Sequence, residues 1–132
     1  MAYEVRRNGT FLVPSGSEAD PDRLHLHVVS THPCQARRCL LLTISTVKVG
    51  IWHDDTRILQ PGCHEFIKVK SFVDYRHALV KRCDSISKLV DGWTYHAKPD
   101  FDEGLTDYIL SGVPESDMTP QYVIEYFHSL GL

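Results

Sequence analysis

The sequence predicts a mainly β (α+β) domain, a small barrel with C-terminal helices. Short runs of β-branched and aromatic residues alternate with turn-forming residues over most of the chain. Helical spacing of apolar residues is confined to the C-terminal part. A chain of 132 residues buries about two-thirds of its unfolded surface, which is enough for one core. We therefore expect a single domain over residues 1–132, with a barrel core at 1–90 and an acidic helical C-terminal extension at 91–132.

The first half of the chain has the clearest strand patterns. Residues 9–14 predict a first strand, and the polar residues 15–23 predict a loop. Residues 24–31 at first alternate apolar and polar side chains, as a half-buried strand does. Residues 39–49 are rich in Leu, Ile, Val and Thr, and their nearly continuous apolar start predicts a strand buried on both faces.

The second half mixes strands with helices. In chain order, the patterns predict a turn at Pro61-Gly62, strand at 65–69 and 72–75, strand followed by helix at 78–90, and helices at 101–110 and 120–130. Asp100 is the expected N-cap of the first of these two C-terminal helices. Thr119 is the expected N-cap of the second, with Pro120 at its first position.

Charge is unevenly distributed along the chain. The formal net charge is -3, yet all 14 Lys and Arg lie in residues 1–98, and every charged residue in 99–132 is acidic. This asymmetry predicts either a basic nucleic-acid face screened by an acidic segment or a solvated acidic helical end.

The composition also bears on the compartment and on metals. No apolar run approaches the ~20 residues of a membrane helix, and the N-terminus has no apolar signal core. We expect a cytoplasmic protein with reduced cysteines and without a membrane partner. The spacing of the four cysteines and nearby histidines suits a tetrahedral zinc site poorly, so no metal and no cofactor are expected.

Chemistry-bearing side chains concentrate in residues 58–77, and histidines stand out among them. His64 is the first candidate acid or base, because imidazole titrates near neutral pH and this residue follows a turn. The alternative is a surface histidine bonded to that turn.

His25 and His27 share one strand face, where they either perform acid–base chemistry or simply occupy an exposed face of the sheet.

The cationic and aromatic candidates suit a nucleic acid. Arg76 presents a planar fork that matches phosphate. Lys48, Lys68 and Lys70 are candidates for steering a phosphate backbone, although lysines also blunt the exposed edges of sheets. Tyr75 is a candidate for stacking on a base, although tyrosine is also a common strand residue.

Four stretches of the chain resemble the PemK/MazF-like toxins, over about residues 9–80; they are Phe11-Leu12-Val13, residues 26–30, residues 41–46, and residues 61–76. The resemblance implies an SH3-like barrel that cleaves RNA without a metal, forms a homodimer and is neutralised by an antitoxin protein. It places Ser45 where the family has a catalytic hydroxyl, and it matches a later family strand to Val73-Asp74-Tyr75-Arg76.

The chain departs from this family in the early strand, and two functions therefore remain open. The family has Arg-Pro there, and that Arg stabilises the transition state, whereas this chain has Leu24-His25. The first function is a toxin-like, metal-independent endoribonuclease acting on single-stranded RNA. Its catalytic residues are Ser45, His64, Arg76 and His25, and its RNA-binding residues are Lys48, Lys68, Lys70, Tyr75 and His27. The alternative is a non-catalytic SH3-like binding or partner-docking module of a toxin–antitoxin or defence system.

Overall fold

The described part of the protein contains seven strands and three helices. The computed structural model describes residues 2–14 and 23–132. Residues 15–22 of the predicted loop at 15–23 therefore lie outside the described residues. The strands are β1 (Thr10–Pro14), β2 (Leu24–Val29), β3 (Arg38–Thr46), β4 (Ile58–Leu59), β5 (Ser71–Val73), β6 (Leu79–Arg82) and β7 (His96–Lys98). The helices are α1 (Cys83–Asp91), α2 (Glu103–Leu110) and α3 (Gln121–Ser129), and a 3-10 turn spans Tyr75–His77. The α+β class is confirmed.

All seven described strands join one antiparallel sheet in the order β4-β5-β3-β2-β1-β7, and β6 pairs with β3 off this path. The nine-residue β3 is central because it pairs with β2, with β6 along its first half and with β5 along its last residues. Among the described strands, β4 and β7 do not pair with each other, so the sheet is not closed into the predicted barrel. These terminal strands have two and three residues, which offer few ladder hydrogen bonds for closure.

Strand β3 is buried on both faces, as the sequence predicts. Leu40, Leu42 and Ile44 belong to a large core on one face of the sheet. Cys39 and Leu41 point into a smaller core on the other face, which α1 helps to cover. Alternation along a strand explains this division, because successive side chains point to opposite faces.

The C-terminal third of the chain packs into the large core. Strand β7 pairs with β1, while Ile109, Val123 and Phe127 from the last two helices pack with the buried side chains of the strands. Residues 91–132 therefore supply an edge strand and one wall of the core. Within the described ranges, no helix has the length and apolar character needed to cross a membrane.

The strand predicted at residues 65–69 is wrong. This segment forms turns, in which the Gly62 N–H donates to the Ile67 carbonyl at 2.7 Å and the Ile67 N–H donates to the His64 carbonyl at 2.9 Å. Only Ile67 of the apolar residues here is buried, while Phe66 and Val69 are exposed. The backbone groups bond within the loop instead of with a neighbouring strand, so the apolar content misled the prediction.

The predicted N-caps of the last two helices differ from those in the structure. Helix α2 is capped by Asp102, whose carboxylate accepts from the Leu105 N–H at 3.1 Å, while Asp100 forms an ion pair with Arg6. Helix α3 has Pro120 at its N-cap, one residue after the predicted Thr119. Both helices exist where the apolar spacing predicts them, and the differences concern their ends.

Candidate functional site

A cleft of about 670 Å³ lies on the sheet where β2, β3 and the turn after β5 meet. Strands β2 and β3 contribute His25, His27 and Ser45 to its lining. The turn after β5 contributes Asp74, Arg76 and His77, and the start of α3 and the loop after β3 complete the rim. The volume falls within the range of small-ligand sites, roughly 300 to 1,000 Å³.

Strand register brings these segments together. His27 pairs with Thr43 across the β2–β3 ladder, and alternation along β2 places His25 in the same cleft. The Asp74 N–H donates to the Thr43 carbonyl at 2.8 Å, which fixes the turn after β5 against β3. Distant parts of the sequence thus meet at the second half of β3.

A buried carboxylate organises the turn side of the cleft. Asp74 is 3% exposed, and its Oδ2 accepts from His77 Nδ1 at 2.8 Å and from Arg76 Nη2 at 3.2 Å. This bond places a ring proton on Nδ1 of His77 and leaves Nε2 available for proton transfer. The Oδ1 atom of Asp74 has no hydrogen-bond partner within the described part of the chain. The result is a carboxylate–histidine pair beside a guanidinium.

The two histidines of β2 are held in environments that favour the neutral ring. Burial lowers the pKa of His25 most, and Arg23 and His77 lower it further; Asp74 raises it, and Lys48 has the smallest lowering effect. Such a ring is uncharged near neutral pH and can accept a proton.

His27 lies deeper in the cleft than His25. Burial, followed by the charges of His25, Lys81 and His77, lowers the pKa of His27 to about 4. Its Nε2 lies 3.5 Å from the Thr43 hydroxyl, and its Nδ1 has no hydrogen-bond partner among the described residues. Because this Nδ1 atom is itself buried, His27 contributes a neutral wall to the cleft and not a nitrogen that a ligand can reach there.

The charges in the cleft favour an anion. Arg23, Lys48 and Arg76 line it, against the one carboxylate of Asp74 among the described lining residues. The Arg76 guanidinium carbon also lies 5.3 Å from the centroid of the Trp52 ring, an arrangement that orients the fork.

Exposed rings lie at the rim of the cleft. Trp52 and Tyr122 both line it, and they are 56% and 50% exposed. Aromatic faces beside cations are the combination that binds single-stranded nucleic acid, because bases stack on the rings while cations hold the phosphates.

His64 lies outside the cleft, and its surroundings do not favour its predicted role in proton transfer. The residue is 8% exposed; its Nε2–H donates to the Pro99 carbonyl at 2.7 Å, and its Nδ1 accepts from the Phe66 N–H at 3.0 Å. Both ring nitrogens are thus engaged with the backbone, which fits neither a catalytic residue nor a surface histidine.

The surroundings of Tyr75 do not favour its predicted stacking role either. Its ring is fully buried in the large core, and its hydroxyl donates to the Ile109 carbonyl at 2.5 Å. Lys68 and Lys70 are exposed but lie on the turn segment outside the cleft lining. Their predicted shared face depended on a strand that does not form.

Five predicted residues, by contrast, do line one cleft. They are His25, His27, Ser45, Lys48 and Arg76.

Sequence reasoning missed the Asp74–His77 pair as a unit. The available signal was an acid and a histidine three residues apart, a spacing that one helical turn brings into contact. The predicted strand over 72–75 hid this signal, because a strand would have pointed neighbouring side chains to alternate faces. The aromatic rim was equally hard to detect, since Tyr122 reaches the cleft from the last helix.

Comparison of the chain with protein-family models, with curated proteins and with solved structures found no match.

Proposed function

We propose that the protein is a metal-independent endoribonuclease of the PemK/MazF-like kind that binds single-stranded RNA in this cleft. The observation that carries the proposal is the Asp74 carboxylate, which bonds both His77 and Arg76 in the same cleft as His25. Two histidines and a guanidinium are the groups that attack of a ribose 2′-hydroxyl on phosphorus requires.

The proposed roles follow from the environment of each group. His25 takes the proton of the 2′-hydroxyl, because its lowered pKa keeps it neutral. The 2′-oxygen then bonds to phosphorus while the bond to the 5′-oxygen breaks, which leaves a 2′,3′-cyclic phosphate and a 5′-hydroxyl. His77 in its protonated form gives its Nε2 proton to the leaving oxygen, and Asp74 orients its ring. Arg76 stabilises the charge on the phosphorane oxygens.

The remaining cleft residues suit binding of the strand. Arg23 and Lys48 offer charge to phosphates next to the scissile one, and the Ser45 hydroxyl offers a hydrogen bond. Trp52 and Tyr122 present faces on which bases stack. A duplex buries its base faces, so this arrangement favours single strands.

The first experiment measures cleavage of a mixed-sequence RNA in EDTA by the wild type and by single variants. We expect His25→Ala and His77→Ala each to reduce the rate by about 10²- to 10⁴-fold, the range of general acid–base catalysis. His128→Ala is the matched control, because His128 is exposed on α3 outside the cleft, and it should cleave at the wild-type rate.

The His64→Ala variant tests whether catalysis depends on the cleft residues or on His64. We expect it to lower thermal stability while the folded protein keeps its activity, because the ring bonds only the backbone of Phe66 and Pro99. Wild-type protein that leaves RNA intact in EDTA across pH 5 to 9 would remove the endoribonuclease proposal.

The likeness to the PemK/MazF-like family carries further proposals. An SH3-like barrel is part of this proposal, although the described strands form an open sheet. A homodimer, an antitoxin protein as partner and a cytoplasmic location belong to the same proposal. Light scattering on the purified chain tests the dimer directly.

The second candidate is a non-catalytic binding or partner-docking module. The observation that favours it is the loop after β3, where Val49, Ile51 and Trp52 expose large apolar surfaces beside the cleft. Such surface suits contact with a protein partner. Intact RNA in the EDTA assay, together with a His25→Ala variant that behaves as the wild type, would favour this candidate.

A further inference from the structure

The turn after α1 holds a tryptophan in an unfavourable backbone conformation. Trp93 has a φ of 63°, in the left-handed region where a bulky side chain is rare and glycine is preferred. The turn is fixed by hydrogen bonds from the Thr94 and Tyr95 N–H groups, both at 2.9 Å, to the Leu89 carbonyl. Trp93 gains little burial in return, since it is 80% exposed. Neither backbone preference nor core packing therefore explains a tryptophan at this position.

Strand β7, which follows this turn, is a free edge of the sheet. Among the described strands it pairs with β1 alone. The Gly9 carbonyl accepts a bond from β2, so alternation turns the backbone groups of Thr10 towards β7, where Thr10 pairs with Lys98. By the same alternation, the N–H and C=O of Ala97 point away from β1. They are therefore open to an added strand.

A groove of about 550 Å³ lies along this edge, and one of its walls is apolar. Ala97 points to the smaller-core face of the sheet, because it lies opposite Phe11 of that core. Val90 and Tyr95 border the same core and line the groove, and Trp93 lies in the turn between them. A side chain of an added strand placed beside Ala97 would therefore pack against the Trp93 ring.

The other face of β7 carries basic side chains. By alternation, His96 and Lys98 point to the face opposite Ala97, and both line the groove. The one acidic residue among the described lining residues is Asp91, whose Oδ1 already accepts from the Tyr3 N–H at 2.9 Å. Acidic side chains of an added strand would thus meet complementary charge. A second copy of the chain, paired antiparallel about Ala97, would instead set Lys98 opposite His96 and offer neither of them an acid.

We propose that this edge is a docking site for an extended acidic segment of a partner protein, which adds to the sheet beside β7. Main-chain bonds to Ala97 hold such a segment, and side chains at alternate positions give it specificity. The matching pattern is acidic–apolar–acidic, because the apolar side chain contacts Trp93 while the acidic ones lie beside Lys98 and His96. The strained backbone of Trp93 is then explained, since its ring becomes buried when the partner binds. The proposal does not depend on the reaction proposed for the cleft.

The first test titrates a fluorescein-labelled Glu-Val-Glu-Val-Glu peptide against the full chain by fluorescence anisotropy. We expect Trp93→Gly to weaken binding by about tenfold or more, as the loss of a central interface tryptophan usually does. The same variant should unfold at an equal or higher urea concentration than the wild type, because glycine relieves the left-handed backbone. A tryptophan kept only for stability would lower that concentration when replaced.

Ala97→Pro tests the main-chain bonds. It removes the outward N–H and no bond to β1, and proline suits an edge strand, so binding should weaken by about twofold to tenfold while the fold is kept. Lys98→Glu should weaken binding of the glutamate peptide and strengthen binding of Lys-Val-Lys-Val-Lys. Trp52→Ala is the matched control, because it removes an exposed tryptophan at the rim of the cleft, and it should bind the glutamate peptide as the wild type does.

Several results would overturn the docking site. They are equal binding by the wild type and Trp93→Gly, loss of binding in Trp52→Ala alone, no binding of the glutamate peptide, and equal affinity for the glutamate and lysine peptides. Analytical ultracentrifugation tests the second copy, since a dimer that Ala97→Pro dissociates would assign the edge to another copy of the chain. A labelled oligouridylate whose binding depends on Trp93 would assign the edge to RNA. Either assignment would overturn the proposal as well.

Discussion

At the scale of single residues, burial decides which histidines are available for chemistry. His64 and His77 lie near each other in the sequence. The His64 ring is enclosed by hydrogen bonds to the backbone, whereas the His77 ring is exposed in the cleft. His25 and His27 were predictable as a pair because a strand repeats every two residues. Their difference in depth was not predictable, since it depends on the strands around them.

His27 gives a prediction for the pH dependence of stability. Its pKa falls from 6.5 to about 4 on folding, mainly through burial, so the unfolded chain binds a proton more readily. The resulting stabilisation, about 3 kcal/mol at most, is present above pH 6.5 and is lost as the pH falls towards 4.

Urea unfolding at pH 7 and at pH 4 measures this loss. His27→Gln cannot take up a proton in this range, so it should reduce the difference between the two pH values by about 3 kcal/mol. A variant with the same pH dependence as the wild type would contradict the assignment to His27.

At the scale of elements, the packing of the 3-10 turn against the end of α2 depends on a glycine. A Cβ at Gly112 would lie 2.0 Å from the hydroxyl oxygen of Tyr75, whose ring is fully buried beneath it. The Tyr75 hydroxyl also bonds the Ile109 carbonyl, so the ring cannot move without losing that bond.

We expect Gly112→Ala to lower the free energy of unfolding by about 2 to 3 kcal/mol, because it overpacks the core. Gly104→Ala is the control within α2, where the position is exposed and a Cβ would lie 3.2 Å from the Asp102 carboxylate, so we expect the free energy of unfolding to change by less than about 1 kcal/mol. Urea denaturation measures both values. Equal, small effects would show that Tyr75 can shift to accommodate the methyl group.

At the scale of the whole molecule, the C-terminal third belongs to the same core as the sheet. Four of its seven acidic residues pair with arginines outside the cleft: Asp100 with Arg6, Glu103 and Asp107 with Arg7, and Glu115 with Arg57. Among the described residues, no ion pair joins this segment to the cleft cations. The acidic end therefore compensates basic side chains elsewhere and leaves the cleft open to an anion.

Deletion of residues 99–132 tests whether the sheet can fold without the C-terminal segment. The deletion removes Phe101, Ile109, Val113, Val123 and Phe127 from the large core, so we expect residues 1–98 to lose cooperative thermal unfolding. Circular dichroism and proton NMR dispersion provide the measurement. A truncated chain that unfolds cooperatively would instead support an independent barrel at 1–90.

The sequence alone determined the α+β class, the doubly buried β3, the helices α2 and α3, and the shared face of His25 and His27. Each of these follows from local periodicity, which is set by the geometry of a strand or helix whatever surrounds it. The resemblance to a toxin family directed attention to Ser45 and Arg76, which the structure brings into the same cleft.

Only the tertiary structure decided how the site is composed. The turn at 61–70, the 3-10 turn that joins His77 to Asp74, and the burial of His64 and Tyr75 depend on contacts between residues far apart in the chain. Such contacts form where packing satisfies backbone and side chains together, and no local pattern in the sequence encodes which segments will meet.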